Sequence, residues 1–343
     1  MEKKKLGYLS SLDLLRGLAA VAVCYFHFTH GNPDFLSKTN ILYQSGRYGF
    51  LGVDVFFVIS GFVIPYAMYR GMYRFKNFGT FLLKRVIRIE PPFLISIILV
   101  IALNWLSTLS PYYRGAGFTI DYTALALHLG YLNAFFEYPW VNDVYWTLAI
   151  EFQYYIIIAL IFPLLIHSKK YFSYIALGLF GVMGFFITGH NFIFNYGLLF
   201  VVGILLFQFQ IGYLKNAEFG ALLLIALLMI YVKFDNRYLM AALLPYFFIL
   251  YFNLTSGVSK FLGNISYSLY LVHIPIGGRI INICETLFQS EQIRSVFVFV
   301  ALAVSIFAAW IFFMLIEKPA MNLAKKIGYS KKNGKPEAQP QTA

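Results

Sequence analysis

The chain has 343 residues, of which 60% are apolar, 20% aromatic and only 12% charged, with a formal net charge of +12. That composition excludes an ordinary soluble domain and describes a polytopic helical membrane protein. Strand alternation of the kind a membrane barrel needs is absent.

The opening Met1-Glu2-Lys3-Lys4-Lys5 looks like the basic region of a signal peptide. Asp13 and Arg16 interrupt the apolar core that should follow, and no convincing small-x-small cleavage site does. The first apolar stretch therefore reads as an uncleaved span. Ten segments are long and apolar enough to cross: 10–30, 48–69, 89–108, 145–166, 171–189, 192–210, 218–233, 238–254, 264–288 and 294–316. Together they predict an all-α transmembrane bundle over 8–320, followed by a polar tail, 321–343, expected to be disordered. With the amino terminus placed in the cytosol, both termini are cytosolic. Nineteen of the 27 Lys and Arg residues then fall on cytosolic segments and six on outer ones, leaving Arg16 and Arg279 inside spans. This is the positive-inside asymmetry, and it explains the basic balance by topology without a nucleic-acid partner. The outer connection 109–144 is long and aromatic, and its apolar stretch 121–136 is taken as partly embedded. Two readings of it stand open: a cap over a site or acceptor contact, or an interfacial belt of Tyr and Trp.

Ionisable residues inside spans are costly and mark sites. Arg16 and His27 are eleven residues apart, about 20° past three full helical turns, so they share one face roughly 16 Å apart along the axis. Asp13 lies on the same stripe. Asp54 enters the second span at a depth comparable with His27; it either orients the imidazole or is a buried carboxyl bonded to nearby backbone. Arg85 and Arg88, three apart in the connection before the third span, suit the phosphates of a nucleotide-like ligand or anionic lipid headgroups. The pair Pro91–Pro92 is expected to disturb the start of that third span. Thr147, Glu151, Tyr154 and Tyr155 share a face of the fourth span, with Glu151 either functional or protonated and structural. Ser266, Tyr270, His273 and Gly277 form a stripe on the ninth, lining a ligand channel or bonding helix to helix. Glu317-Lys318-Pro319 reads as a helix stop with local charge pairing. His30, His128, His167 and His190 receive no role. No P-loop, serine elbow or zinc-spaced His/Cys set is present, and Cys24 and Cys284 require no disulfide.

Taken in order, these features resemble the acyltransferase-3 family of integral membrane acyltransferases. Arg16-x10-His27 is similar to its first-span signature, Gly49 to Gly61 to its Gly-rich second span, and Arg85-x2-Arg88 followed by Pro91 to its cytosolic Arg element. Trp146-Thr147-Leu148 to Glu151, and Ser266-Tyr267-Ser268-Leu269-Tyr270-Leu271-Val272-His273, resemble later family segments. Glu90 and Phe93 depart from it, standing where residues such as Tyr are expected. The resemblance covers residues 8–320 and is to the stand-alone type, without a fused extracytoplasmic domain. It implies a multi-pass protein of a bacterial cytoplasmic (inner) membrane. It implies no permanently bound cofactor and no metal, with cytosolic acyl-CoA, acetyl-CoA by default, as donor and a hydroxyl of a cell-surface polysaccharide, glycolipid or small secreted metabolite as acceptor. His27 would be the general base, Arg16 a donor ligand or charge stabiliser, Glu151 or Asp54 a partner of His27 or of the sugar. Arg85 and Arg88 would hold the CoA phosphates, with Tyr270 and His273 in support. Two competing readings are a flippase for a lipid-linked sugar and an acyl-His27 intermediate.

Overall fold

A computed structural model describes residues 10–111, 117–252 and 256–329. Among these residues the chain is helical, with no strand. Within a bilayer a helix satisfies its own backbone groups segment by segment, so apolar runs of this length have few alternatives. The helices are α1 (Ser10–His30), α2 (Ile41–Gly46), α3 (Gly52–Arg70), α4 (Phe78–Thr108), α5 (Tyr122–Leu127), α6 (Asn133–Phe136), α7 (Trp146–Leu165) and α8 (Tyr171–Val182). There follow α9 (Ile193–Gln210), α10 (Asn216–Lys233), α11 (Asn236–Tyr251), α12 (Gly257–His273), α13 (Arg279–Leu287), α14 (Glu291–Phe312) and α15 (Lys318–Lys325). The described part of each of the ten expected segments is largely helical, 264–288 being divided between α12, a π turn and α13. Among the described residues, seven helical stretches are long and apolar enough to cross a membrane: Ser11–His30, Ile41–Arg70, Phe75–Thr108, Asp143–Leu165, Ile193–Gln210, Asn216–Lys233 and Glu291–Lys325. This is a multi-pass integral membrane protein. The most enclosed of the seven is α9, with 78% of its apolar window buried; α10, at 22%, faces outward.

Several expectations need correction. The third span does not begin near residue 89, and the proline pair does not mark its start: α4 begins at Phe78 and runs through both prolines. The missing proline N–H groups deprive the Ile87 and Arg88 carbonyls of their i+4 donors; the Tyr267 hydroxyl of α12 donates to the neighbouring Ile89 O (3.1 Å) and ties α12 to this stretch. Arg85 and Arg88 are therefore on a helix, not in a loop. The tail also starts later than residue 321. α15 packs on α4, and the Tyr329 ring lies 5.9 Å from Tyr73 while its carbonyl accepts from Asn77 (2.9 Å). Residues 330–343 lie outside the described residues, as do Lys3, Lys4 and Lys5, Arg114, and the end of the expected eighth span at 253–254.

Small residues set the closest packings. An added Cβ at Gly263 would stand 2.5 Å from Asp13 Cβ, and one at Gly17 would stand 2.5 Å from Leu262 Cβ, so α1 and α12 touch backbone to backbone. Gly61 and Gly203 make the same kind of crossing between α3 and α9. Two apolar cores result. One is built mainly by α3, α7, α8, α9, α10 and α11. The other is built by α1, α12, α13, α14, the middle of α4 and the 131–149 region. Val53, Phe56 and Phe152 pack against both, and a cavity lined in part by Val53 and Phe56 opens along that seam.

Candidate active site: an arginine-lined cavity beside a histidine pair

α1 and α12 run parallel, because Asp13 meets Gly263 at one end and His27 meets His273 at the other. The polar stripe of α1 thus faces the polar stripe of α12. His273 Nδ1 lies 2.8 Å from Tyr270 O and 3.1 Å from Leu269 O. His27 Nδ1 lies 3.0 Å from Val23 O, and 3.1 Å from His273 Nε2. Carbonyl oxygens only accept, so each Nδ1 carries its proton when the rings are neutral. His273 Nε2 is then an acceptor, and His27 Nδ1–H is shared between it and Val23 O. His27 Nε2 is left as an unprotonated lone pair. After His273 a π-helical turn, Ile274–Gly278, interrupts α-geometry before α13. Such turns cluster at functional sites.

Next to this pair lies a cavity of about 120 Å³. Tyr270 and Thr147 stand on its wall, and the Tyr270 ring is 5.8 Å from that of His273. The Tyr270 hydroxyl donates to Val144 O (3.1 Å) and accepts from Thr147 Oγ1 (2.8 Å). Arg16, Arg85 and Arg88 share the same wall with Glu151 and Glu317. Among the described residues none of the three arginines makes an ion pair or hydrogen bond. Arg85 instead lies over the rings of Phe81 (5.2 Å) and Tyr155 (5.4 Å), and its buried Nε has no partner. Glu151 accepts from Tyr155 Oη (2.6 Å) and Ser60 Oγ (3.4 Å). Glu317 accepts from Ser268 N (3.1 Å) and Ser268 Oγ (2.5 Å). Three guanidiniums against two carboxylates leave an excess of positive charge around an open space, which is what an anionic ligand requires.

Of the residues singled out in the sequence, Arg16, Arg85, Arg88, Glu151 and Tyr270 thus converge on one cavity, and His27 pairs with His273 at its edge. His27 itself is not on the cavity wall. Asp54 lies elsewhere: it is buried, and its electrostatic neighbours are Tyr196 of α9 and Tyr238 of α11. Neither Asp54 nor Glu151 orients His27; the group on its Nδ1 is another imidazole. Tyr154, expected to share the face of Glu151, instead stacks on Phe200 at 4.2 Å in the apolar core. Glu317 was legible only as a helix stop. It ends a second π turn, Phe313–Glu317, which turns it inward, and nothing in Glu317-Lys318-Pro319 signals that turn.

A family model described as an acyltransferase domain matches residues 9–314. The chain belongs to the acyltransferase-3 family. O-acetyltransferase OatA of Staphylococcus aureus (strain NCTC 8325 / PS 47) is 33% identical over 202 residues, covering 54% of this chain and 31% of OatA. OatA of strain COL aligns with the same figures. A second protein of strain COL, provisionally named an O-acetyltransferase, is 25% identical over 394 residues, covering 98% of this chain and 61% of its own length. The chain spans only 31% of OatA and 61% of that second relative. No solved structure matches. The family match takes in the site from α1 to the start of the second π turn; Glu317 lies three residues beyond its end.

Proposed function

We propose that this protein is a membrane O-acyltransferase that moves an acyl group, acetyl as the simplest, from acyl-CoA to a hydroxyl of a carbohydrate such as a cell-surface polysaccharide or glycolipid. One observation carries the reading. Three guanidiniums, none in a contact ion pair among the described residues and only partly offset by Glu151 and Glu317, line a cavity that reaches Tyr270, beside a histidine pair that leaves one imidazole nitrogen free to accept a proton.

The positive-inside asymmetry supports an orientation in which the end holding the amino terminus of α4 and α15 faces the cytosol, with ten crossings and both termini on that side. Acyl-CoA is then available to Arg85 and Arg88, which bind its phosphates as guanidiniums bind phosphate elsewhere. A cavity of about 120 Å³ is smaller than the roughly 300–1,000 Å³ of most small-ligand sites. It takes the pantetheine arm while the nucleotide stays at the cytosolic end. Arg16 is roughly 16 Å from His27 along α1, too far to reach the reacting carbonyl, so it serves the donor. Glu151 holds Tyr155 and offsets part of the arginine charge.

The acceptor reaches His27 from the opposite end. His27 Nε2 takes the proton of the acceptor hydroxyl as its oxygen attacks the thioester carbonyl carbon. The tetrahedral intermediate collapses with cleavage of the C–S bond, and His27 returns the proton to the thiolate. The products are the acyl ester and free CoA thiol. His273 accepts the His27 Nδ1–H bond and keeps the ring in the tautomer this needs.

Transfer of labelled acetyl from acetyl-CoA to glycan in membranes tests the assignment. His27→Ala is expected to lower transfer at least 100-fold, with protein level unchanged. Arg85→Gln combined with Arg88→Gln is expected to raise the acetyl-CoA KM at least tenfold. Retained transfer in the first, or an unchanged donor KM in the second, refutes the corresponding role.

A further inference from the structure

α4 carries Arg85 and Arg88 near its start and runs away from them to Thr108; α7 returns from Trp146. The connection between them therefore lies at the end of the bundle opposite the arginines. There a second, open cavity of about 540 Å³ is lined by Glu137, Tyr138, Pro139, Trp140, Asp143, Trp146, His190 and Asn191. None of these side chains belongs to the arginine cavity, and none has a part in the mechanism above.

The groove is built rather than incidental. Buried His128 donates from Nδ1 to Ala124 O (2.6 Å) and accepts the Val141 N–H at Nε2 (3.1 Å). Buried Asn133 donates to Ala124 O (3.1 Å) and Pro139 O (3.0 Å). These bonds pin the strip that carries Tyr138 and Trp140. Glu137 is held at φ 57°, a left-handed conformation rare for a residue with a side chain and frequent at binding sites. Trp146 is packed by the His190 ring at 4.1 Å and the Tyr196 ring at 5.5 Å, and the Tyr196 hydroxyl lies 2.9 Å from His190 Nδ1. Asn142, next to Asp143, donates to Leu271 O of α12 (3.5 Å), two residues before His273, which sets the groove at the histidine-pair end of the bundle.

We propose that this groove binds the acceptor glycan, a pyranose lying flat against the indoles of Trp140 and Trp146 with its hydroxyls on Asp143, Glu137, Asn191 and His190. This rests on the acyltransferase reading and names the acceptor's seat within it. A sugar ring has an apolar face of C–H groups, which suits an aromatic surface, and a rim of hydroxyls that both donate and accept. The lining matches both requirements: aromatic rings, carboxylates that accept, and amide and ring N–H groups that donate. An organic cation would use the rings and the carboxylates but has nothing for the Asn191 and His190 donors.

The test uses the full chain in lipid nanodiscs, free of sugar-headed detergent, titrated calorimetrically with maltohexaose, cellotetraose and chitotetraose, and with tetramethylammonium as the contrasting probe. At least one glycan is expected to bind saturably. Trp140→Ala and Asp143→Asn are expected to weaken that glycan at least tenfold and to leave acetyl-CoA binding within twofold, while His27→Ala binds the glycan as the unsubstituted protein does. If Trp140→Ala fails to fold, His190→Ala and Asp143→Asn, both exposed side chains, carry the same comparison. Binding of tetramethylammonium and of no glycan, or glycan binding indifferent to every groove substitution, overturns the proposal. The two claims fail separately. Glycan binding lost in the groove variants, with no acetyl transfer by the unsubstituted protein, leaves the groove standing and removes the catalytic reading. Transfer with an acceptor KM unmoved by the groove variants does the reverse.

Discussion

His273 is the residue whose substitution best separates holding the proposed base, His27, from acting as one. It touches His27 through one bond to Nδ1 and is itself fixed by two backbone carbonyls. His273→Ala is expected to lower kcat about 10- to 100-fold, the size of effect that follows from misplacing a catalytic group by about 1 Å. Both KM values should stay within twofold. His273→Gln, whose amide oxygen can accept the same N–H, should recover part of the loss; equal loss in both variants, or a change confined to KM, argues against a positioning role. The spacing of Arg16 and His27 was enough to place both on one stripe, since helical periodicity is a local property. The partner of His27 was not legible, because a contact across 246 positions leaves no trace in the period of either helix. Asp54 shows the same limit. Its depth in α3 followed from counting residues, but which way it points around the helix was decided by the packing of α9 and α11.

The α1–α12 pair is the element on which the site hangs, and its glycines make it testable. An added Cβ at Gly263 would meet Asp13 Cα and O at 2.7 Å, backbone atoms that cannot rotate away. Gly263→Ala is expected to destabilise the protein by about 1–3 kcal/mol and to reduce transfer by spreading the two stripes apart. A thermal midpoint equal to that of the unsubstituted protein would contradict it. The connection 109–144 offers a pH test. Burial holds the His128 ring below its ordinary value of 6.5, against the opposing effect of its bond to Ala124 O. The folded strip prefers the neutral ring, while the unfolded strip takes up a proton near pH 6.5. The stability His128 contributes is therefore whole above pH 6.5 and declines as pH falls below it. Protection of the Val141 amide, corrected for intrinsic exchange, should fall between pH 7.5 and 5.5; an unchanged value would show that His128 does not hold the strip. None of this was visible beforehand, since an isolated His in an aromatic loop has no periodicity to place it. The proline pair misled for the converse reason: its local effect is real, yet α4 continues through it, packed by α12 and α15.

Across the whole molecule, composition and hydropathy were sufficient for class: an all-α bundle in a membrane, with the helices where the apolar runs fall. What they could not give is the seam between the two apolar cores. That seam brings side chains from α1, α3, α4, α7 and α12 to one cavity. The account assigns donor and acceptor to opposite ends of that seam, with His27 between them. The most direct measurement is transfer in sealed proteoliposomes of known orientation, with acetyl-CoA supplied on one side of the membrane and glycan on the other. Ester should form only when acetyl-CoA faces the end bearing Arg85 and Arg88 and the glycan faces the end bearing Trp140 and Trp146, and His27→Ala should abolish it. Ester formed equally well with the two reactants exchanged, or in full amount by His27→Ala, would contradict the account.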